Sequence, residues 1–289
     1  MYSPPDDATQ QRTEAAHAEA ANRLAFTAGP PYAWGWNGRT ISARAGTDRW
    51  LRVEAVPADR AAAGLPREGI TGAEYIPDDV PRPRLQATVR WTKDGWTYDA
   101  DLLTPIRQSV ISPTTPEVHT DPGLADGWWA ELHQALDVLA GVPTEREAVR
   151  TLWMRRSFPL FLGIDAPDHI ERVTGHGDLH WANLTGTPLT IMDWERWGSV
   201  PVGFDAGLLH VYSLRVPAVA ARVRDEFADT LATPAGRIGE LAALCELLQS
   251  VARREYADIA EPLMNRAEAL TGRRLPVPPP ALKGTPRAA

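Results

Sequence analysis

The first hundred residues alternate between apolar and polar positions in short runs. Four runs predict strands: 39–44, which follows the turn dipeptide Asn37-Gly38, 49–54, in which apolar and polar side chains alternate, and 84–92 and 96–103. Lys93-Asp94-Gly95 predicts a tight turn that joins the last two runs into a hairpin. Ala-rich residues 7–25 predict a helix capped by Asp7, and residues 66–75 predict a short one. The pattern therefore indicates a small antiparallel sheet preceded by a helix.

Beyond residue 123 the apolar positions recur at the spacing of α-helices. Pro113, Pro116 and Pro122 mark the preceding segment as a linker. The predicted helices are 124–140, 144–162, 217–232, 236–253 and 255–271. The second of these starts with Thr144 and Glu147, whose spacing is that of a capping box.

These patterns predict an α+β fold with four parts in chain order. The parts are a helical extension (1–25), a β-rich lobe (26–112), a larger, mainly helical lobe (113–275) and a disordered tail (276–289). The tail is assigned from four prolines within five residues.

Composition and charge exclude several classes of protein. The net charge of -7 over 289 residues argues against a nucleic-acid-binding surface, which needs clustered basic side chains. Cys245 is the only cysteine, so neither an intrachain disulfide nor a cysteine-based zinc cage is expected. No apolar run has the length of a membrane span, and residues 1–25 do not read as a signal peptide. We therefore expect a soluble, cytoplasmic protein with no nucleic-acid or membrane partner.

A block of polar residues and turns, 173–205, interrupts the helical pattern and carries the candidate chemistry. Asp178 and Asn183 have the Asp-x-x-x-x-Asn spacing of a kinase catalytic loop, and Asp193 follows a short apolar run. Phosphoryl transfer needs a carboxylate beside the attacking hydroxyl, and Asp178 fits that role of catalytic base. Magnesium needs oxygen ligands, which Asn183 and Asp193 can supply.

The same block resembles a known family. His176-Gly-Asp178-Leu-His180-x-x-Asn183 followed by Ile191-x-Asp193-Trp-Glu195 is similar to the aminoglycoside phosphotransferase and choline kinase family, whose members are relatives of the protein kinases. Pro201-Val-Gly-Phe-Asp205 also resembles that family. The resemblance implies a protein kinase-like bilobal fold, Mg²⁺ and ATP or GTP as co-substrate, and a small-molecule hydroxyl acceptor.

The resemblance also implies supporting roles around the catalytic loop. It matches Asp205 to a buried aspartate that braces this loop. We expect His176 to pack under the loop as a structural residue. His180 is a candidate for lining the site or for packing, and Glu195 is either a site residue or a solvated one. Because His176, Asp178 and His180 alternate along the chain, metal ligation on one face of a strand is an alternative interpretation.

The N-terminal part departs from the family pattern. Where the family has a phosphate-binding lysine on its third strand, this chain has Arg52, which is either the phosphate contact or an ordinary strand arginine. The loop that would cover the phosphates, near 34–40, contains only Gly35 and Gly38. Glu68 or Glu74 is expected to pair with Arg52.

Two functions follow from these observations. The first is a small-molecule kinase that phosphorylates a hydroxyl of an antibiotic, an amino sugar, a choline-like alcohol or another metabolite. The alternative is a catalytically weak or inactive kinase-like binding or regulatory protein. Arg52 and the glycine-poor loop favour this alternative, whereas the complete set of Asp178, Asn183 and Asp193 favours the kinase.

Overall fold

The computed structural model describes residues 2–61, 65–253 and 255–275. Its N-terminal lobe is a five-stranded antiparallel sheet with strand order β1-β2-β3-β5-β4. The strands are β1 (Ala33–Trp34), β2 (Thr40–Ala45), β3 (Arg49–Pro57), β4 (Leu85–Lys93) and β5 (Trp96–Leu103). Positive φ angles at Asp94 and Gly95 form the turn between β4 and β5, which confirms the predicted hairpin.

Helix α1 (Asp7–Arg23) packs on this sheet. Its buried face consists of His17 and of small side chains, including Ala16 and Ala20, which let the helix approach the strands closely. The helix cap is Asp6 and not Asp7 as predicted, because the Asp6 carboxylate accepts a hydrogen bond from the backbone N–H of Thr9 at 2.7 Å. Two short helices, α2 (Ala58–Ala61) and α3 (Leu65–Gly72), follow the sheet's third strand.

The C-terminal lobe is mainly helical. Its helices are α4 (Asp126–Ala140), α5 (Thr151–Ser157), α6 (Phe204–Val211), α7 (Pro217–Glu226), α8 (Ala228–Leu231), α9 (Pro234–Ala252) and α10 (Ala260–Thr271). A two-stranded antiparallel ribbon, β6 (Arg172–Gly175) and β7 (Gly198–Pro201), lies between α5 and α6. The predicted order of a small sheet followed by a larger helical part is therefore confirmed.

The predicted helix over 144–162 is wrong in its first half. The helical turns occupy only Thr151–Leu162, and the Glu147 carboxylate accepts from the backbone N–H of Thr151 at 2.8 Å. The residues before it pair instead with β7, where Ser199 bonds to Arg146 and Ala148. Glu147 thus acts at the start of a later helix, and Thr144 is not a helix cap.

Each lobe has its own apolar cluster of buried side chains, one under α1 and one among the helices. The passage between the lobes lies just after β5, because residues 110–112 already bond to the segment 181–185 of the C-terminal lobe. The segment after α3 also belongs to the C-terminal cluster, through Ala73, Ile76 and Val80. The two lobes therefore meet along a cleft bordered by β3 and by the 176–195 segment.

Among the described residues, no helix is both long enough and apolar enough to cross a membrane.

Candidate active site

The candidate catalytic loop, His176–Asn183, follows strand β6, and its second residue is a glycine that no other residue could replace without rearrangement. Gly177 has a φ of 76°, and a Cβ there would lie 2.6 Å from the carbonyl oxygen of Arg196. The backbone of the loop therefore lies directly against the segment that follows Asp193.

Asp205, in the first turn of α6, holds this loop in place through hydrogen bonds to its backbone. It is buried, and its carboxylate accepts hydrogen bonds from the backbone N–H of His176 at 2.6 Å and of Gly177 at 2.9 Å. Burial raises the pKa of Asp205, while His176 and the two N–H donors oppose that rise. The expectation that Asp205 is buried and bonded to this segment is confirmed.

His176 connects the loop to the strand-like run before Asp193. Its Nε2 lies 2.8 Å from the carbonyl oxygen of Met192, and its ring packs edge-on against Trp194. The side chain is fully buried, as expected for a structural histidine. Its Nε2 is engaged by backbone, and the described residues contain no cluster of three or more His, Cys, Asp or Glu that could hold a metal ion. Metal ligation by His176, Asp178 and His180 is thus not supported.

Asp178 lies on the loop beside two basic side chains. Its carboxylate oxygens are 3.6 Å from Arg196 Nη1 and 3.9 Å from His180 Nε2. Burial alone would raise the pKa of Asp178, but the positive charges of His180 and Arg196 outweigh burial, so the net direction is down. Burial lowers the pKa of His180, although the nearby Asp178 and Asp193 carboxylates oppose that shift, whereas the guanidinium of Arg196 is a permanent positive charge beside Asp178.

Asn183 and Asp193 are brought together by backbone pairing. The N–H of Met192 donates to the carbonyl of Asn183 at 2.8 Å, which places Asp193 directly beyond the end of the loop. The Asn183 amide nitrogen donates to the carbonyl of Asp178 at 2.9 Å and lies 3.3 Å from His180 Nε2. Asp193 has a φ of 61°, a left-handed conformation that aspartate tolerates better than most residues.

This donor set fits magnesium. One carboxylate and one amide are hard oxygen donors, and magnesium in phosphate sites commonly uses only one or two protein ligands besides water and phosphate. The Asp193 side chain is 44% exposed, so its oxygens are accessible from the cleft. Asn183 and Asp193 are the residues that would hold the ion.

Arg52 extends from β3 across the cleft to the other lobe. Its guanidinium is hydrogen-bonded to Glu195, 3.7 Å from the Asp193 carboxylate and 3.9 Å from Asp101, its neighbour on β5. Its side chain is mostly buried, so Arg52 is not an ordinary solvent-facing strand arginine. Glu195 is also buried, which makes it a cleft residue and not a solvated one.

The expected glutamate partner of Arg52 needs correction. The Glu74 carboxylate accepts instead from the backbone N–H of Leu85 at 3.0 Å, on the exposed side of the lobe. The side chain of Glu68 lies outside the described part of the chain. Glu195 takes the partner role because it follows Asp193 closely in sequence and reaches the cleft from the C-terminal lobe.

A second arginine, Arg39, was missed by the sequence interpretation. It lies at the end of the loop between β1 and β2 and bonds to Glu195 and to Glu54, each at 2.9 Å. The Glu195 carboxylate is therefore held between Arg39 and Arg52. The one available signal was a basic residue directly after Asn37-Gly38.

Gly35 and Gly38 have local structural reasons for being glycine. A Cβ at Gly35 would collide with the side chain of Thr40. Gly38 has a φ of 65°, and a Cβ there would lie 2.6 Å from the Cα of Pro4. The loop does lie at the cleft, next to Arg39, and its contact with phosphate stays a prediction.

Arg196 is the other residue that sequence reasoning missed. It forms two hydrogen bonds to Glu246 of α9, at 2.5 and 3.3 Å, in addition to its proximity to Asp178. The pairing joins residues fifty positions apart, so no local motif marks it.

The arrangement of a small sheet, a cleft and a larger helical lobe is that of a protein kinase-like fold. No protein-family model matches the chain, and no curated protein matches it. Among solved structures, a thermostable mutant of aminoglycoside phosphotransferase APH(4)-Ia, in a ternary complex with AMP-PNP and hygromycin B, has a TM-score of 0.57 at 12% identity. That alignment covers 89% of this chain and 98% of the other.

A second solved structure has the same fold. The GDP complex of wild-type aminoglycoside 2'-phosphotransferase-IIIa gives a TM-score of 0.53 at 11% identity, with 89% of this chain and 98% of the other covered. At these identities the likeness concerns the fold. The expected bilobal, kinase-like fold is confirmed by it.

Proposed function

We propose that this chain is a small-molecule kinase that transfers the γ-phosphate of a magnesium-bound nucleoside triphosphate to a hydroxyl group. The observation that carries the proposal is the convergence of Asp178, Asn183 and Asp193 at one end of a cleft that Arg52 enters from the opposite lobe. Phosphoryl transfer depends mainly on positioning and on neutralising charge, and this cleft offers groups for both.

Asp178 acts as the catalytic base. Its lowered pKa keeps it ionised at neutral pH, so it can accept the proton of the attacking hydroxyl. Arg196 and the backbone contacts of the loop fix its orientation, while Asn183 ties the loop's end to the Asp178 carbonyl. Magnesium, held by Asn183 and Asp193, would neutralise negative charge on the phosphates.

Arg52 and Arg39 bind the phosphates of the nucleotide. A guanidinium can bind phosphate oxygens through two parallel hydrogen bonds, so an arginine can replace the family's lysine with altered geometry. Both arginines donate hydrogen bonds to the Glu195 carboxylate. Nucleotide phosphates must therefore compete with the Glu195 carboxylate for these two side chains.

The acceptor is a hydroxyl-bearing small molecule: an antibiotic, an amino sugar, a choline-like alcohol or another metabolite. One of the similar folds is described in complex with hygromycin B, which supports a small-molecule acceptor and leaves its chemistry to experiment. The test is a screen of hydroxyl-bearing compounds for phosphate transfer from ATP and GTP. Transfer should fall by about 10²–10⁴-fold in Asp178→Ala, the range that a general base contributes.

The engagement of Arg39 and Arg52 by Glu195 favours one alternative, a kinase-like protein with weak or no catalysis. In that case the ion pairs would act as a permanent closure of the nucleotide site. Magnesium-dependent nucleotide binding with measurable hydrolysis supports the enzyme. Absence of nucleotide binding at millimolar concentrations would leave only the non-catalytic function.

A further inference from the structure

Arg196 links the candidate catalytic loop to helix α9. Its backbone lies against the loop, because a Cβ at Gly177 would be only 2.6 Å from the Arg196 carbonyl oxygen. Its Nη1 and Nη2 donate to the two carboxylate oxygens of Glu246 on α9, at 2.5 and 3.3 Å. The same Nη1 is 3.6 Å from a carboxylate oxygen of Asp178. One guanidinium therefore lies between two carboxylates, and it is hydrogen-bonded to that of Glu246.

This arrangement leaves the Asp178 carboxylate close to a positive charge without a hydrogen bond to it. Arg196 Nη1 at 3.6 Å and His180 Nε2 at 3.9 Å are both beyond hydrogen-bonding distance of the Asp178 oxygens. The Asp178 side chain is 28% exposed, so a hydroxyl in the cleft can reach it. A general base must bring an oxygen within about 2.6–3.2 Å of the group whose proton it accepts. The oxygens of Asp178 are available for such a contact.

Helix α9 keeps Glu246 at a fixed position relative to the loop. It packs closely on α6, since a Cβ at Gly207 would lie 2.8 Å from the Cα of Glu240. Helix α6 also carries Asp205, which accepts hydrogen bonds from the backbone of the loop. A side chain on a packed helix holds its partner more precisely than one on a loop does. Glu246 is therefore well placed to fix where the guanidinium of Arg196 lies.

We propose that Glu246 is a positioning residue for the phosphate transfer, which holds the Arg196 guanidinium beside Asp178 and prevents the two side chains from bonding to each other. The inference rests on the proposed function, because it concerns the same catalytic base. A charge-assisted hydrogen bond is about 2.7–2.9 Å long, so a shift of about 0.8 Å would bring Arg196 Nη1 onto Asp178. Glu246 opposes that shift with its two hydrogen bonds.

The role predicts which kinetic constant depends on Glu246. An Asp178 oxygen that accepts from Arg196 is no longer available to accept the proton of the attacking hydroxyl, so turnover should fall when Glu246 is removed. The nucleotide contacts that we assign to Arg39, Arg52 and Asp193 lie elsewhere in the cleft. Loss of Glu246 should therefore lower kcat and leave the KM for nucleotide unchanged.

The experiment measures steady-state hydrolysis of magnesium ATP by the full chain, in which water takes the place of the acceptor hydroxyl. The water oxygen bonds to the γ-phosphorus as the bond from this phosphorus to the β,γ-bridging oxygen breaks, and a water proton moves to Asp178. Glu246→Gln should lower kcat by about ten- to a hundredfold, the cost of a displacement of about 1 Å. Glu246→Asp keeps a carboxylate that can hold the guanidinium and should retain more activity.

The matched control is Glu261→Gln, which removes the same charge at an exposed position of α10 and should hydrolyse ATP like the wild type. Circular dichroism at the assay temperature checks that each variant is folded. A fall in kcat that Glu261→Gln shares would overturn the inference, because it would follow from the change in net charge.

A double-mutant cycle separates positioning from structural support. If Glu246 acts through Arg196, Glu246→Gln should have no further effect on kcat in an Arg196→Met background. Equal decreases in both backgrounds, or wild-type kcat in Glu246→Gln, would overturn this inference. The proposed function would then still stand if Asp178→Asn lowers hydrolysis. A wild-type chain that hydrolyses no nucleotide would overturn both.

Discussion

The candidate catalytic loop and the surface of the N-terminal lobe that faces it across the cleft are built in different ways. The loop is held by buried hydrogen bonds, with Asp205 accepting from two backbone N–H groups and His176 bonded to Met192. The opposite surface is held by side-chain ion pairs across the cleft, in which Arg39 and Arg52 share Glu195. The first arrangement fixes backbone, and the second fixes only the ends of long side chains.

The difference indicates which region could change during the proposed phosphate transfer. Backbone bonds to a buried carboxylate are costly to break, because the donors would remain unsatisfied. Ion pairs at a cleft can exchange a carboxylate for a phosphate with little change in the number of charged contacts. We therefore interpret the loop as preorganised and the arginines as groups that change partners when nucleotide binds.

The largest expected effect comes from removing the support of the loop. Asp205→Ala deletes two charge-assisted hydrogen bonds and leaves two buried N–H groups unpaired, so the free energy of unfolding should fall by about 3–5 kcal/mol. Urea unfolding measures it. Asp225→Ala, at an exposed position of α7, is the matched control and should change stability by less than about 0.5 kcal/mol. Equal losses in the two variants would contradict the preorganised loop.

The scaffold beneath the loop gives a pH-dependent effect. Glu240 of α9 is fully buried and bonds to His210 of α6 and Arg266 of α10. Burial alone would raise its pKa, but the hydrogen bonds and charges of His210 and Arg266 lower it to about 2. Because the folded pKa lies below the unfolded value of 4.5, the group stabilises the fold above pH 4.5.

This contribution, about 3 kcal/mol, should be lost as the pH falls from 4.5 toward 2. Glu240→Gln should be less stable at pH 7 and should show a flatter decline of stability over that acid range. Glu145→Gln, at an exposed position, should keep the wild-type profile. A Glu240→Gln profile parallel to that of the wild type would show that the shift is absent.

Substitutions of Arg52 test whether the N-terminal lobe binds nucleotide through this side chain. Arg52→Ala should weaken nucleotide binding by about ten- to a hundredfold, the loss expected from one charged hydrogen-bonding group. Arg52→Lys should keep most of the affinity, because the charge remains. Arg44→Ala, on the exposed face of β2, is the control for a general loss of positive charge. If calorimetry finds that Arg52→Ala binds nucleotide with wild-type affinity, Arg52 does not contact the phosphates.

Replacing Glu195 should have the smallest effect, and the direction of the change in nucleotide affinity distinguishes competition from positioning. Glu195→Gln removes the carboxylate that competes for Arg39 and Arg52, so nucleotide affinity should rise by about two- to tenfold. A fall in affinity would mean that Glu195 positions the arginines and does not compete for them. In that case the two arginines would be held in a fixed position before nucleotide binds, as the loop is.

Much of this molecule could be predicted from its sequence, and the remainder has physical reasons. Alternating apolar and polar positions predicted the strands of the sheet. A local motif predicted Asp178, Asn183 and Asp193 as candidate site residues, because a short loop keeps motif residues close in space. Arg39 pairs with a residue 156 positions away, so no local pattern reveals it. The predicted helix over 144–162 was too long at its start. The Glu147 side chain caps Thr151, four positions along, and the backbone around Glu147 is hydrogen-bonded to β7 instead of being helical.

The most direct test of the account is calorimetric titration of the chain with a non-hydrolysable nucleoside triphosphate, with magnesium and with excess chelator. We expect binding that requires magnesium in the wild type and in Asp178→Asn, and at least about tenfold weaker binding in Asp193→Asn. Binding that is indifferent to magnesium and to Asp193→Asn would contradict the proposed metal site and, with it, the assignment of the cleft to phosphate transfer.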